Sequence, residues 1–337
     1  MIRIKWIDLC RFLSIFIISV LFLSGCGEKY SAPYSSSILS SEIAGRGFLA
    51  ELKADSFASD LCIPGSDIPV EGLELSSNLE SIFLVDLKNK EVLASVGALK
   101  NVHPASTTKL MTALLALENC SMDEVLVLGD EVTGFSYDAM VLPGKEGDKM
   151  TMDQALHFLL MYSANDIANS IAVHIGGSIS GFCDMMNQRA LELGATNTHF
   201  SNPHGLDADD HMTTPYDLYL ILNECVKYEK FTEIVSSPEY TNVYTDARGN
   251  NVEKTVRSTD LFIRNDKDVA PPSGITVIGG KTGTTGQAGH CLIVLCKDSS
   301  GNSYISCVMG TPDNDVLYDH QNQVMSLILN PQNEQNP

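Results

Sequence analysis

Short apolar runs rich in β-branched residues lie at both ends of this chain, with a long stretch of helical periodicity between them. "SIFLVDL" (81–87) and "EVLASV" (91–96) flank the turn "KNK" and predict a hairpin. "GITVIGGKTGTT" (274–285), "CLIVLCK" (291–297) and "SYISCVMG" (303–310) predict three further strands. Helices are predicted from about 106 to 118, over 150–177 with a break near Ser163-Ala164-Asn165, over 180–195, over 213–228 and from about 314 to 329. Thr213 or Thr214 can cap the fourth of these, and Pro215 suits its first position. The order is two strands, helices, three strands, one helix. It implies an α/β (α+β) architecture: a mostly antiparallel five-stranded sheet built from both ends of the chain and flanked by helices. An all-helical lobe, about 120–235, is inserted between the two halves. No internal repeat is visible.

The 337 residues are 44% hydrophobic, enough for a sizeable core, and carry a net charge of -20. Such a chain is repelled by polyanions, which argues against a nucleic-acid partner. Arg3, Lys5 and Arg11 give a positive start ahead of the apolar run "FLSIFIISVLFL", which has the length of a signal-peptide core rather than a membrane span. The run ends in Leu23-Ser24-Gly25-Cys26, which resembles a bacterial lipobox. That resemblance implies a signal peptide over 1–25, a lipid on the Cys26 sulfur, and an exported protein anchored to the bacterial membrane and facing the cell wall. Serine-rich sequence then predicts a flexible tether over 26–75, part of which (47–63) could be ordered, ahead of a folded domain at 76–331 and a tail at 332–337. Of nine cysteines, Cys10 leaves with the signal and Cys26 takes the lipid. The remaining odd number leaves at least one free thiol; Cys291 and Cys307, on predicted neighbouring strands, could pair. No C-x-x-C pair or Cys/His cluster has zinc spacing.

Three short patterns carry possible chemistry. In "HPASTTKLMTALLALE" (103–118), Ser106 and Lys109 stand three apart, so a helix would bring hydroxyl and amine together. A serine needs a base to act as a nucleophile, and a lysine serves only if burial or a neighbouring cation lowers its pKa. Alone, the pattern could equally be a helix cap. Ser163-Ala164-Asn165 places a hydroxyl and an amide in a helical break, where both are also common for local reasons. Lys281-Thr282-Gly283 ends a strand; amine and hydroxyl could hold a carboxylate, and Gly283 leaves room for an extended peptide at the strand edge. A phosphate loop is excluded there, because its frame would need glycine where Ile275 stands and a helix afterwards.

Taken together, S-x-x-K, S-x-N and K-T-G resemble the penicillin-recognising serine enzymes. "PASTTKLMTALLALE", "LLMYSANDIANSIA", "ALELGATNTHFSNPHGLD", "HMTTPYDL" and "GGKTGTTGQAGHCLI" narrow this to a resemblance to the D-alanyl-D-alanine carboxypeptidase family of low-molecular-weight penicillin-binding proteins, over about 76–330. The resemblance implies a β-lactamase/transpeptidase-like fold and no cofactor or metal. It implies that Ser106 is acylated, Lys109 is the general base, and Ser163 and Asn165 relay protons and orient substrate. Lys281 would depress the Lys109 pKa and, with Thr282, bind the substrate carboxylate across Gly283. The backbone N–H groups of Ser106 and Thr284 would form an oxyanion hole. The implied substrate is a peptidoglycan stem peptide ending in D-Ala-D-Ala, with β-lactams as inhibitors.

Two features depart from the family pattern. Several members carry an arginine just after the final strand, whereas "MGTPDNDVLYDHQ" has none, and no arginine follows Arg264. Carboxylate binding then rests on Lys281, Thr282 and Thr284, which leaves DD-endopeptidase action open. Many relatives also add a C-terminal β-domain and amphipathic anchor, where this sequence has "NPQNEQNP"; the lipid on Cys26 would substitute for that anchor. A class A β-lactamase would carry an E-x-x-L-N pentapeptide between Asn165 and Lys281, and none occurs. A non-catalytic penicillin- or peptidoglycan-binding lipoprotein is opposed by the intact motifs. His204, Asp207, Asp209 and His211 in "HGLDADDH" have the composition of a metal site but fall in a segment that the family uses as a turn.

Overall fold

The computed structural model describes residues 60–264 and 269–329. The expected signal segment, Cys26, most of the tether and the tail at 332–337 lie outside the described residues. Packed structure begins earlier than the expected boundary at 76: Cys62 and Val70 are buried, and Ile68 pairs with Ser95.

The chain runs through β1 (Ser81–Asp86) and β2 (Glu91–Val96), a 3-10 turn (Ala105–Thr108), and α1 (Lys109–Asn119). Then come β3 (Val125–Val127), β4 (Lys149–Thr151), α2 (Met152–Leu160), α3 (Asn165–Gly176), α4 (Ile179–Leu193), α5 (Pro215–Cys225) and α6 (Glu229–Val235). It continues through β5 (Glu239–Thr245), β6 (Asn251–Arg257), β7 (Ile275–Thr285), β8 (Gly289–Asp298) and β9 (Ser303–Thr311) to α7 (Asn314–Ser326).

Local chemistry explains the boundaries. Asp86 turns the first hairpin by accepting the Lys88 and Asn89 amides at 2.8 and 2.9 Å. Thr151 and Gln154 form a reciprocal capping box on α2. Thr214 caps α5 ahead of Pro215, and Asp313 caps α7 through the Val316 amide at 2.9 Å. Gly194 ends α4 in the left-handed conformation.

The expected sheet is present, fully antiparallel, in the order β2-β1-β9-β8-β7. Strand alternation divides its side chains between two cores. Phe83, Val85, Ile293, Ile305 and Met309 pack towards the helical side with α1, α2, α3 and α5. Ile82, Leu84, Leu292, Val294 and Val308 pack with Leu317, Val324 and Met325 of α7 on the other side. Each such fully buried side chain contributes roughly 1.5–3 kcal/mol of transfer free energy.

The inserted lobe is not all-helical. Its strands β3 and β4 join β5 and β6, which follow beyond residue 235, in a second sheet, β3-β4-β5-β6. Two of its strands are only three residues long, and β5 and β6 ("EYTNVYT", "NVEKTVR") are largely polar because one face is exposed. All seven described cysteines are free thiols, so Cys291 and Cys307 are not bridged.

Candidate active site

Ser106 lies in the 3-10 turn, one residue triplet ahead of the point where the α-helix starts at Lys109. The expected helix therefore begins later than Ser106, but the i, i+3 relation survives. Ala105 has φ 48°, a costly conformation for a residue with a Cβ. Two glycines make room for the turn. A Cβ on Gly283 would stand 3.0 Å from both Ala105 Cβ and the Ser106 nitrogen, and one on Gly205 (φ 93°) would overlap the Ala105 carbonyl. Gly283 thus serves the approach of β7 to the serine turn.

Lys109 is fully buried at the start of α1. Its Nζ lies 2.9 Å from Ser106 Oγ, 2.7 Å from Asn165 Oδ1 and 2.6 Å from the His204 carbonyl oxygen. Burial holds this amine well below the ordinary lysine range; the neighbouring Lys281 charge lowers it further, and Asp166 acts in the opposite direction. A neutral amine has two N–H donors and one lone pair. The Asn165 amide oxygen and the His204 carbonyl can only accept, so they take the two donors. In that neutral form the lone pair is left for the Ser106 hydroxyl, whereas the charged ammonium donates its third N–H to Ser106 Oγ.

Asn165 opens α3, and its own amide donates to the Met140 carbonyl at 2.8 Å. Ser163 sits in the preceding break with φ 65°, buried and left-handed. It is not one of the Lys109 partners; within S-x-N, the lysine is held by Asn165.

Lys281 lies on β7, an edge strand of the sheet, and is buried. Burial pulls its amine down to about 7, against the pull of the Asp260 carboxylate, which burial in turn pushes up to about 6. Its Nζ donates to the Thr282 carbonyl at 2.9 Å. The Thr282 hydroxyl is 2.6 Å from that of Thr259, whose amide donates to the Met161 carbonyl at 3.0 Å. Thr259 therefore ties the K-T-G strand to the end of α2, just ahead of Ser163. Thr284 is exposed at the strand end, and His290 pairs opposite it on β8, with Nδ1 3.4 Å from the Thr284 hydroxyl.

The segment 200–211 does more than turn the chain. Besides the His204 carbonyl at Lys109, the Pro203 carbonyl accepts the Thr112 hydroxyl at 2.6 Å. The His211 ring accepts the Ser201 amide at Nδ1 (3.0 Å), which leaves Nε2–H to donate to the Thr108 hydroxyl at 2.8 Å. Burial pulls this imidazole down to about 4, so it is a neutral brace. Asp207 accepts the Thr285 hydroxyl at 2.6 Å, and the His204 ring stacks edgewise on Phe135. His204, Asp207 and His211 are thus drawn to separate partners around the site. Asp166, fully buried, accepts the Leu142, Gly144 and Ile167 amides at 2.9–3.1 Å and fixes the loop beside Asn165. Of these supports, Asp166 alone has a sequence signal, since it follows directly on the S-x-N motif. Thr259, the His204 carbonyl and His211 have no local sequence signal.

A family model described as D-alanyl-D-alanine carboxypeptidase matches residues 71–313. D-alanyl-D-alanine carboxypeptidase DacF of Bacillus subtilis is 30% identical over 229 residues, covering 66% of this chain and 55% of the relative. D-alanyl-D-alanine carboxypeptidase DacB2 of Mycobacterium tuberculosis is 30% identical over 229 residues, covering 67% of this chain and 71% of the relative. The chain spans little more than half the length of several of these curated relatives. Among solved structures, the Streptomyces K15 DD-transpeptidase superposes with a TM-score of 0.68 at 24% identity, covering 75% of this chain and 98% of that one. This likeness bears out the transpeptidase-like fold.

Proposed function

The chain belongs to the D-alanyl-D-alanine carboxypeptidase family, and from that premise we propose that it is a serine DD-carboxypeptidase that removes the terminal D-Ala from peptidoglycan stem peptides. The supporting observation is the buried Lys109 amine, 2.9 Å from Ser106 Oγ and held by two fixed acceptors that, once the amine is neutral, leave its lone pair for Oγ. Lys109 takes the Ser106 proton as Oγ attacks the carbonyl of the D-Ala-D-Ala peptide bond. The oxyanion is met by the backbone N–H groups of Ser106 and Thr284; one such donor is worth about 3 kcal/mol in comparable acyl-transfer sites. Ser163 and Asn165 line the path by which the proton reaches the departing D-Ala nitrogen. Water then attacks the acyl-enzyme, again with Lys109 as base, and releases the shortened peptide. The substrate lies extended along the edge of β7, with its carboxylate towards Lys281, Thr282 and Thr284. Penicillin acylates the same hydroxyl.

The protein is exported and held at the membrane through a lipid on Cys26, with its site facing the cell wall. The Leu23-Ser24-Gly25-Cys26 sequence supports this placement. Among the described residues, no helix is long and apolar enough to cross a membrane.

The reading is tested with detergent-solubilised protein and diacetyl-Lys-D-Ala-D-Ala. The wild type is expected to release D-Ala, and Ser106→Ala to release it at least about a thousandfold more slowly. Equal release from both would remove Ser106 as nucleophile.

A further inference from the structure

Helices α1 and α3 each carry a site residue at the start: Lys109 opens α1 and Asn165 opens α3. Their opposite ends meet at a second cluster of side chains. Cys120 is the residue that closes α1, its amide donating to the Ala116 carbonyl at 3.0 Å. Glu124 follows in a turn fixed at both backbone groups: its amide donates to Ser121 O at 3.1 Å, and its carbonyl accepts the Met152 amide at 2.8 Å. His174 lies in the last turn of α3, with Nε2 2.7 Å from Glu124 Oε1. One ligand atom from each of the three residues lies within 4.8 Å of the other two.

We propose that Cys120, Glu124 and His174 bind one divalent transition-metal ion of the zinc class, with water in the fourth position, clamping together the far ends of the two helices that bear Lys109 and Asn165. The donor set is what selects the ion. One sulfur, one imidazole nitrogen and one carboxylate oxygen suit zinc and its neighbours and suit calcium or magnesium poorly. Tetrahedral zinc-type bonds place such ligand atoms about 3.3–3.6 Å apart. The histidine–glutamate pair therefore opens by about half an ångström, the ion replacing the shared proton, while the thiolate closes in by side-chain rotation. Among the described residues, the Cys120 sulfur makes no hydrogen bond that the ion would have to break. The thiol gives up its proton as it takes the ion.

The inference stands apart from the carboxypeptidase reading. The cluster lies at the far end of an eleven-residue helix, about 16 Å along the axis from Lys109. Its function is structural: it fixes the angle and separation of two helices whose near ends must hold the amine and amide in register.

The test uses untagged, chelator-treated full-length protein titrated with Co2+, then Zn2+. One equivalent of Co2+ is expected to give the visible d–d bands of four-coordinate cobalt together with a near-ultraviolet thiolate-to-cobalt charge-transfer band. Cys120→Ser should abolish the thiolate band. His174→Gln should weaken binding at least tenfold while keeping the band at saturation. Zn2+ at a hundredfold excess over its Kd should raise the melting temperature of the wild type by about 5 °C and leave Cys120→Ser unchanged. Absence of a thiolate band at stoichiometric cobalt, or a band that persists in Cys120→Ser, overturns the proposal.

Discussion

Burial holds the Lys109 amine well below the ordinary lysine range, and the charge of its neighbour Lys281 lowers it further. Protonated Lys281 opposes protonation of Lys109. In the proposed mechanism Lys109 must be neutral to accept the Ser106 proton, so the acid limb of the acylation rate marks its protonation. Lys281→Gln removes the like charge and raises the Lys109 pKa, which should move that acid limb to higher pH. The pH profile of penicillin acylation measures this independently of weaker substrate binding; an unmoved limb would show that burial alone sets the amine. At this scale the sequence was highly legible. Ser106, Lys109, Asn165 and Lys281 were nameable because spacing along an element is local information. Ser163 was nameable as part of a motif, but its left-handed backbone was not. The His204 carbonyl was hidden because a backbone oxygen has no letter in the sequence.

At the scale of elements, the site depends on how β7 is pressed against the turn ahead of α1. Gly283 is the contact, with a Cβ position only 3.0 Å from Ala105 Cβ and the Ser106 nitrogen. Gly283→Ala should therefore displace the serine turn. Overpacking of this kind costs about 1–3 kcal/mol, so stability should fall and penicillin acylation should slow by roughly 10–100-fold, read by thermal melting and by stopped-flow acylation. An unchanged rate would mean that the turn can yield without moving Ser106. The five strands and the long amphipathic helices were legible because period-2 and period-3.6 patterns are strong where one face is buried. The second sheet was not: β3 and β4 are too short for a period to emerge, and β5 and β6 bury Asn242 alongside Tyr244, so polarity and burial part company.

At the scale of the molecule, strands within 81–96 and 275–311 build one sheet, and the segment between them supplies Lys109 and Asn165 to the site. That organisation was readable from element order alone, since hairpins and short connections restrict which strands can neighbour each other. The anchoring proposal belongs to the same scale, because it concerns where the whole domain is held. Cys26→Ser should abolish incorporation of labelled palmitate and shift the protein out of the membrane fraction, as judged by autoradiography and fractionation. Retention of label by the variant would contradict lipidation at this residue.

The central claim is that Lys109 activates Ser106 for acyl transfer, and it is tested most directly by following covalent capture of benzylpenicillin with intact-protein and peptide mass spectrometry. The account predicts a single adduct on the peptide containing Ser106, none in Ser106→Ala, and formation slowed about 10²–10⁴-fold in Lys109→Ala. An adduct on another residue, or one that forms in Lys109→Ala at the wild-type rate, would contradict it.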